Sequence, residues 1–309
     1  DHSAKDIPTS EDDIQILLKS LTNNEIKKKD YIYRRLTVAA SSGSFSVDQL
    51  IWDYTSKTAL PPKTKEMLGK VIAKRADPEV LGQMLDFVVD NSDDPIAKIA
   101  LKSANINTDE ENFSKFIKIL SNSSESNTRS AAESALKLVI TSSSDKQHLT
   151  EQLLGAFDAS IDKNYKLAML RLLGTTGTNS AKKQLSTALK SSDSSERIAA
   201  AKAFSAWPND TPFSDLLTAF IDESSATAKN NMFKSIVSLL DAKRSHGSNL
   251  GENWLELAQY TDTSTQKRRI INSAGKAKAS WSKSVLDYFN TADHPQAIRD
   301  YANSGLKQL

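Results

Sequence analysis

Residues 191–204 read SSDSSERIAAAKAF. An acid, Asp193, is followed four residues on by a base, Arg197, and two residues after that by a small residue, Ala199. Each type suits its place at the start of a helix. The carboxylate accepts from first-turn N–H groups that have no partner within the helix, and it favours the positive end of the helix dipole. The base one turn later is its neighbour on the helix surface. The alanine lets another helix come close, while Ile198, Ala201 and Phe204 lay down an apolar stripe.

Outward from this stretch the same [DE]-x3-[RK]-x-A spacing recurs at Asp94, Lys98 and Ala100, at Glu125, Arg129 and Ala131, and at Asp162, Lys166 and Ala168. Pro95, after Asp94, suits a first helical position, where the missing N–H is unpaired anyway. The frame continues with serine as the cap, at Ser225 with Lys229 and at Ser264 with Arg268. It extends further to Glu25 with Lys29, to Lys65, and through Asp293 and Pro295 to Ala297. The anchors 29, 65, 98, 129, 166, 197, 229, 268 and 297 lie 29 to 39 residues apart, with a mean of roughly 33.5, in the range of two-helix repeats. Between anchors lie second amphipathic segments, such as Phe113, Phe116, Ile117 and Leu120, or Trp254, Leu255, Leu257 and Tyr260. Short polar linkers, among them Ser41–Ser44, Ser121–Ser126 and Ser191–Ser195, punctuate the chain at repeat frequency. The expectation is an all-α chain of about nine helix pairs forming a single solenoid over residues 1–309. In it 1–12 is disordered or extended, 78–205 holds the most regular repeats, and 243–252 is an insertion loop with Gly247 and Gly251.

Composition agrees. The chain of 309 residues is 39% hydrophobic and carries a net charge of +2, so it has enough apolar side chains to bury a core. Without cysteine it holds no disulfide, zinc thiolate, cysteine-ligated cluster or cysteine nucleophile. Its apolar runs fall well short of the roughly 20 residues of a membrane-spanning helix, so no span is expected. Hairpin turns between alternating Val, Ile, Thr and Tyr stretches are missing, which disfavours a β-rich fold.

The recurring acid, base and alanine at the start of each second helix resemble HEAT repeats, in particular the short type of phycobilin-lyase-like domains. That resemblance implies a right-handed α-α superhelix of the HEAT/armadillo kind, with the second helices lining a concave surface. It also implies that Asp94, Lys98, Glu125, Arg129, Asp162, Lys166, Asp193 and Arg197 form a structural acid-base ladder.

Chemistry-bearing motifs are sparse. His2, His148, His246 and His294 stand apart, and none belongs to HExxH or to a His-Glu dipeptide. This reads against a zinc peptidase and against the metal-dependent hydroxylases that share the HEAT fold. Gly174-Thr175-Thr176-Gly177 lacks the GxxxxGK[ST] frame and reads as a turn between repeats. No cofactor, metal ligand set or catalytic residue is identified, and the expectation is a non-enzyme.

Charge is unevenly distributed. Residues 77–126 hold ten acids against four lysines, and residues 226–283 hold ten bases against four acids. Within the basic segment Lys267, Arg268, Arg269, Lys276, Lys278 and Trp281 form a candidate binding surface. The expected function is a non-enzymatic scaffold whose concave surface holds a protein or peptide partner. One alternative is nucleic-acid binding on the basic C-terminal repeats, as in HEAT-like alkylpurine DNA glycosylases. Another is the helical-repeat part of a larger processed enzyme. The polar start at Asp1–Asp12, the lack of an initial methionine and the absence of cysteine lean the expectation towards a periplasmic or secreted protein.

Overall fold

The computed structural model describes residues 7–22, 26–40, 46–104, 110–158, 162–242 and 249–309. The fold is all-α: among the described residues there are eighteen α-helices, one 3-10 turn at Glu110–Asn112, and no strand. The chain divides into two compact units, Asp1–Ser144 and Asp145–Leu309.

Unit 1 contains four helix pairs, α1 (Glu11–Ser20) with α2 (Ile26–Val38), α3 (Val47–Lys57) with α4 (Pro62–Arg75), α5 (Pro78–Asp90) with α6 (Ala97–Ala104), and α7 (Phe113–Asn122) with α8 (Ser126–Ser142). Unit 2 contains five, α9 (Lys146–Asp158) with α10 (Lys163–Thr176), α11 (Asn179–Ala188) with α12 (Ser194–Ser205), α13 (Phe213–Asp222) with α14 (Ala226–Ala242), α15 (Leu250–Gln259) with α16 (Ser264–Ala277), and α17 (Ser282–Phe289) with α18 (Gln296–Leu306). Within each unit the two helices of a pair pack together, and second helices stack on second helices, α2 on α4, α4 on α6 and α6 on α8 in unit 1, and α10 on α12 on α14 in unit 2. Each unit is thus a helical-repeat solenoid, and all nine anchor positions fall in the first two turns of second helices.

Local chemistry sets the helix starts. The Asp162 carboxylate accepts from the Tyr165 N–H at 2.6 Å, and that of Asp193 from the Ser195 N–H at 2.7 Å. Several starts differ from expectation: Glu125 holds the N-cap place of α8 without a side-chain capping bond, and Pro295 rather than Asp293 precedes α18. A tight turn over 91–96 contains Pro95, and α6 begins only at Ala97, because Asp94 accepts from the Ile96 N–H at 3.1 Å and pairs with Lys65 instead of capping a helix directly. For α16 the cap is Thr263, not Ser264, and its partner in a reciprocal capping box is Gln266. The frame there moves back by one residue, so Lys267 takes the anchor place of Arg268 and Arg269 takes that of the motif alanine.

The core runs along the stripes. Phe113, Phe116, Phe204, Phe220, Trp254 and Phe289 are fully buried, each burial worth about 1.5–3 kcal/mol. Gly174 lies inside α10, and Gly177, at φ 70°, ends that helix in the left-handed conformation. Ser10 caps α1, so helix begins at Glu11, and residues 1–6 lie outside the described residues. Of the expected insertion at 243–252, residues 243–248 lie outside them too, and α15 begins at Leu250.

Candidate ligand-binding cleft

Three of the ladder residues, Asp94, Asp193 and Arg197, make ion pairs between repeats. Asp94 pairs with Lys65 of the preceding second helix, and Asp193 with Lys163 of α10 at 2.6 Å. Arg197 forks onto Glu223, at the start of the next repeat's turn, with 2.7 and 3.0 Å bonds, and also donates to the carbonyls of Ser191 and Ser192. The guanidinium holds the Glu223 carboxyl below its ordinary range despite burial, and Glu223 in turn raises Arg197. The Glu125 N–H donates to Asp93, which also accepts from Ser123 and Ser124. Lys166 lies 5.4 Å above the Phe157 ring, Arg129 is half-buried in the first turn of α8, and Lys98 is exposed on α6.

Four of the six residues of the candidate basic surface, Lys267, Arg268, Arg269 and Lys276, lie on α16 and fan out around it, as a step of about 100° per residue requires, while Lys278 and Trp281 follow its end. Lys267 is half-buried near His294, Arg268 lies 5.6 Å over the Tyr301 ring of α18, and Arg269 turns the other way to Asp241 of α14 at 2.7 Å. Lys276 occupies the last turn of α16, and Lys278 caps it at φ 48°. Trp281 is half-buried and stacks on Trp254 with ring centres 6.0 Å apart, close to Gly251, where a Cβ would come within 2.5 Å of its own. His148 bonds Gln152 at 2.9 Å, while His2 and His246 lie outside the described residues.

Arg269 belongs to a feature that sequence reasoning missed. In unit 2, α12 packs along α14 and α16 along α18, whereas α14 and α16 meet only sparsely. Between them runs a cleft of about 640 Å³ with mainly apolar walls. On α14 the residues Ala226, Lys229, Phe233, Val237 and Asp241 succeed one another at about one turn each, spanning roughly 22 Å at 1.5 Å per residue. Phe233 is held from behind by Phe220, 6.0 Å away. Lys229 and Asp262, 4.0 Å apart, stand at one end, and the Arg269–Asp241 pair stands at the other. Lys234, exposed on the rim, makes no ion pair among the described residues.

At the third motif position α16 carries Arg269, whose side chain reaches across the cleft to Asp241. The longest anchor separation, 39 residues from 229 to 268, coincides with the cleft. Among the described residues no three His, Cys, Asp or Glu side chains gather as a metal ligand set, and no helix is long and apolar enough to cross a membrane.

No family model matches the chain, and no curated protein matches it. Among solved structures the chain is similar to human deoxyhypusine hydroxylase in complex with glycerol, at a TM-score of 0.33 and 11% identity, with 96% of each chain covered. The expectation of a non-enzymatic scaffold is corrected: that solved structure bears the name of a hydroxylase, and a helical-repeat fold by itself assigns neither role. At that TM-score and identity the likeness brings no activity to this chain.

Proposed function

We propose that unit 2 binds an amphipathic organic anion in the α14/α16 cleft. The observation that carries this reading is the separation of two neighbouring second helices over a mainly apolar hollow of about 640 Å³, within the usual range of small-molecule sites. The strip from Ala226 through Phe233 to Val237 receives an aliphatic or aromatic body, and Lys234 on the rim receives the anionic group. Asn230, Thr263 and Gln266 supply polar contacts for orientation. We further infer that the repeats within each unit are of the short HEAT type. The anchor spacing and the acid-to-base pairing between successive repeats support that inference.

The test uses anilinonaphthalene sulfonate as a fluorescent probe and dodecanoate as competitor on the full chain. Saturable fluorescence, displaced by dodecanoate and not by acetate, is expected. Ser238→Trp, at an exposed lining position, fills the cleft and abolishes it, and Lys234→Glu weakens it about tenfold, a loss of one charge contact worth roughly 1.4 kcal/mol. A Ser238→Trp protein with an unchanged melting curve and wild-type probe binding refutes the assignment.

A further inference from the structure

Unit 1 carries a second, chemically different hollow. Lys70 and Lys74 stand one turn apart on α4, and Lys98 and Lys102 stand one turn apart on α6, the helix packed beside it. All four line one hollow of about 560 Å³. Lys70 and Lys74 also line a neighbouring hollow of about 460 Å³ towards α2, which adds Arg34. All five cations are exposed, and they face only two carboxylates, Asp30 and Glu66.

Glu66 pairs with Lys70 at 2.6 Å, while Arg34, Lys74, Lys98 and Lys102 make no ion pair among the described residues. The Glu66 carboxyl is held below its ordinary range first by Lys70, with Lys63 and Lys98 adding at longer range, so charges from both helices act on the same hollow. Like charges gathered this way repel one another, and an anion of matching spacing relieves that repulsion.

We propose that this face binds a linear chain of linked phosphates. The four lysine positions mark the corners of a frame about 6 Å along the helices, at 1.5 Å rise per residue, and roughly 8–10 Å across them between helix axes, within reach of the side chains. A single phosphate spans one pair at most, while a chain of phosphates crosses both and continues to Arg34. Lysine acts as a compact point charge suited to phosphate oxygens, whereas paired recognition of planar carboxylates calls for arginine forks. Tyr33, the aromatic of the lining, is buried, so no base-stacking platform accompanies the charge. Counting charge along the chain hides the site, because Lys98 and Lys102 belong to the acidic segment 77–126 and become a basic surface only beside α4.

The experiment is calorimetric titration of the full chain with sodium tripolyphosphate, longer polyphosphate, orthophosphate, oligoglutamate and single-stranded oligodeoxythymidine across a salt series. Tripolyphosphate is expected to bind at least tenfold more tightly than orthophosphate, polyphosphate more tightly still, and both to weaken steeply with salt. Lys74→Glu with Lys98→Glu removes binding by at least tenfold at an unchanged melting temperature, while Lys276→Glu with Lys278→Glu in unit 2 leaves it intact. Should the first pair fail to fold, Lys74→Gln with Lys102→Gln gives the same reading. No tripolyphosphate binding at low salt, binding indifferent to both unit 1 pairs, or equal or tighter binding of oligoglutamate or oligodeoxythymidine overturns the proposal.

Discussion

Gly174→Ala adds one methyl group where two helices already touch. The new Cβ would lie 2.7 Å from the Cβ of Ala203 on α12 and 2.8 Å from both its Cα and its carbonyl oxygen. Two of those atoms are backbone, so no side-chain rotation relieves the contact, and α10 and α12 have to move apart. Close-packed interiors resist such movement, and overpacking of this kind costs about 1–3 kcal/mol. Alanine regains about 0.8–1.0 kcal/mol of helix propensity over glycine. With backbone as the obstacle the upper end of the range applies, leaving a net loss of about 2 kcal/mol. For a unit of the size of Asp145–Leu309 that corresponds to a fall of roughly 4–8 °C in melting temperature. Gly82→Ala in α5 and Gly155→Ala in α9 are the controls, since nothing lies within 4 Å of an added Cβ at either position. Both should gain about 0.5–1 kcal/mol. Calorimetric melting of the three variants beside the parent decides the matter. If Gly174→Ala melts at or above the parent while the controls rise, close approach of α10 to α12 is not what that glycine provides.

Three further outcomes follow from the polar contacts. Arg75 forks onto Asp48 at 2.6 and 2.9 Å and donates to the carbonyls of Leu36, Thr37 and Ala39 at the end of α2, so Arg75→Met should cost about 3–5 kcal/mol in urea unfolding, with part recovered by adding Asp48→Asn. The depressed Glu223 carboxyl contributes stability that is present above its ordinary value of 4.5 and lost as the pH falls through the lower folded value, so the stability gap between parent and Glu223→Gln should narrow on acidification below about pH 4.5. Burial, with Lys267 adding, lowers the His294 imidazole below its ordinary 6.5, so the unfolded chain binds that proton more readily and stability falls as the pH drops through 6.5. His294→Asn should flatten that part of the melting-temperature profile between pH 7.5 and 5.

Helices and repeats were legible in the sequence because their signals are local. An acid cap, a base one turn on and an apolar stripe lie within about a dozen residues, as Asp193, Arg197 and Phe204 do, and each acts through backbone geometry that no distant residue alters. Partners were less legible. The i,i+4 spacing makes Asp193 and Arg197 neighbours on one helix surface but does not give their ion-pair partners, which lie outward at Lys163 and Glu223. The capping box of Thr263 and Gln266 is readable as a T-x-x-Q string, and it moves the anchor to Lys267 and puts Arg269 at the position where the best repeats carry alanine. Neither candidate site can be read along the chain. The α14/α16 cleft exists because two helices separated in sequence fail to close, and the lysine frame exists because Lys74 and Lys98, on different helices, face one hollow.

The sparse meeting of α14 with α16 has a thermodynamic consequence. In a stack of repeats the free energy is a sum of terms for each repeat and for each interface, so cooperativity travels only as far as the weakest interface lets it. Apart from the ion pairs at the ends of the cleft, the junction is spanned by the Asn253–Asp210 bond at 3.1 Å and by few packed side chains. Helices α15–α18 should therefore melt as a separate block, at lower denaturant than α9–α14. A molecule seated against Phe233 and Gln266 at once would strengthen that one interface, and its arrival would register in unlabelled protein as two unfolding steps drawing together into one.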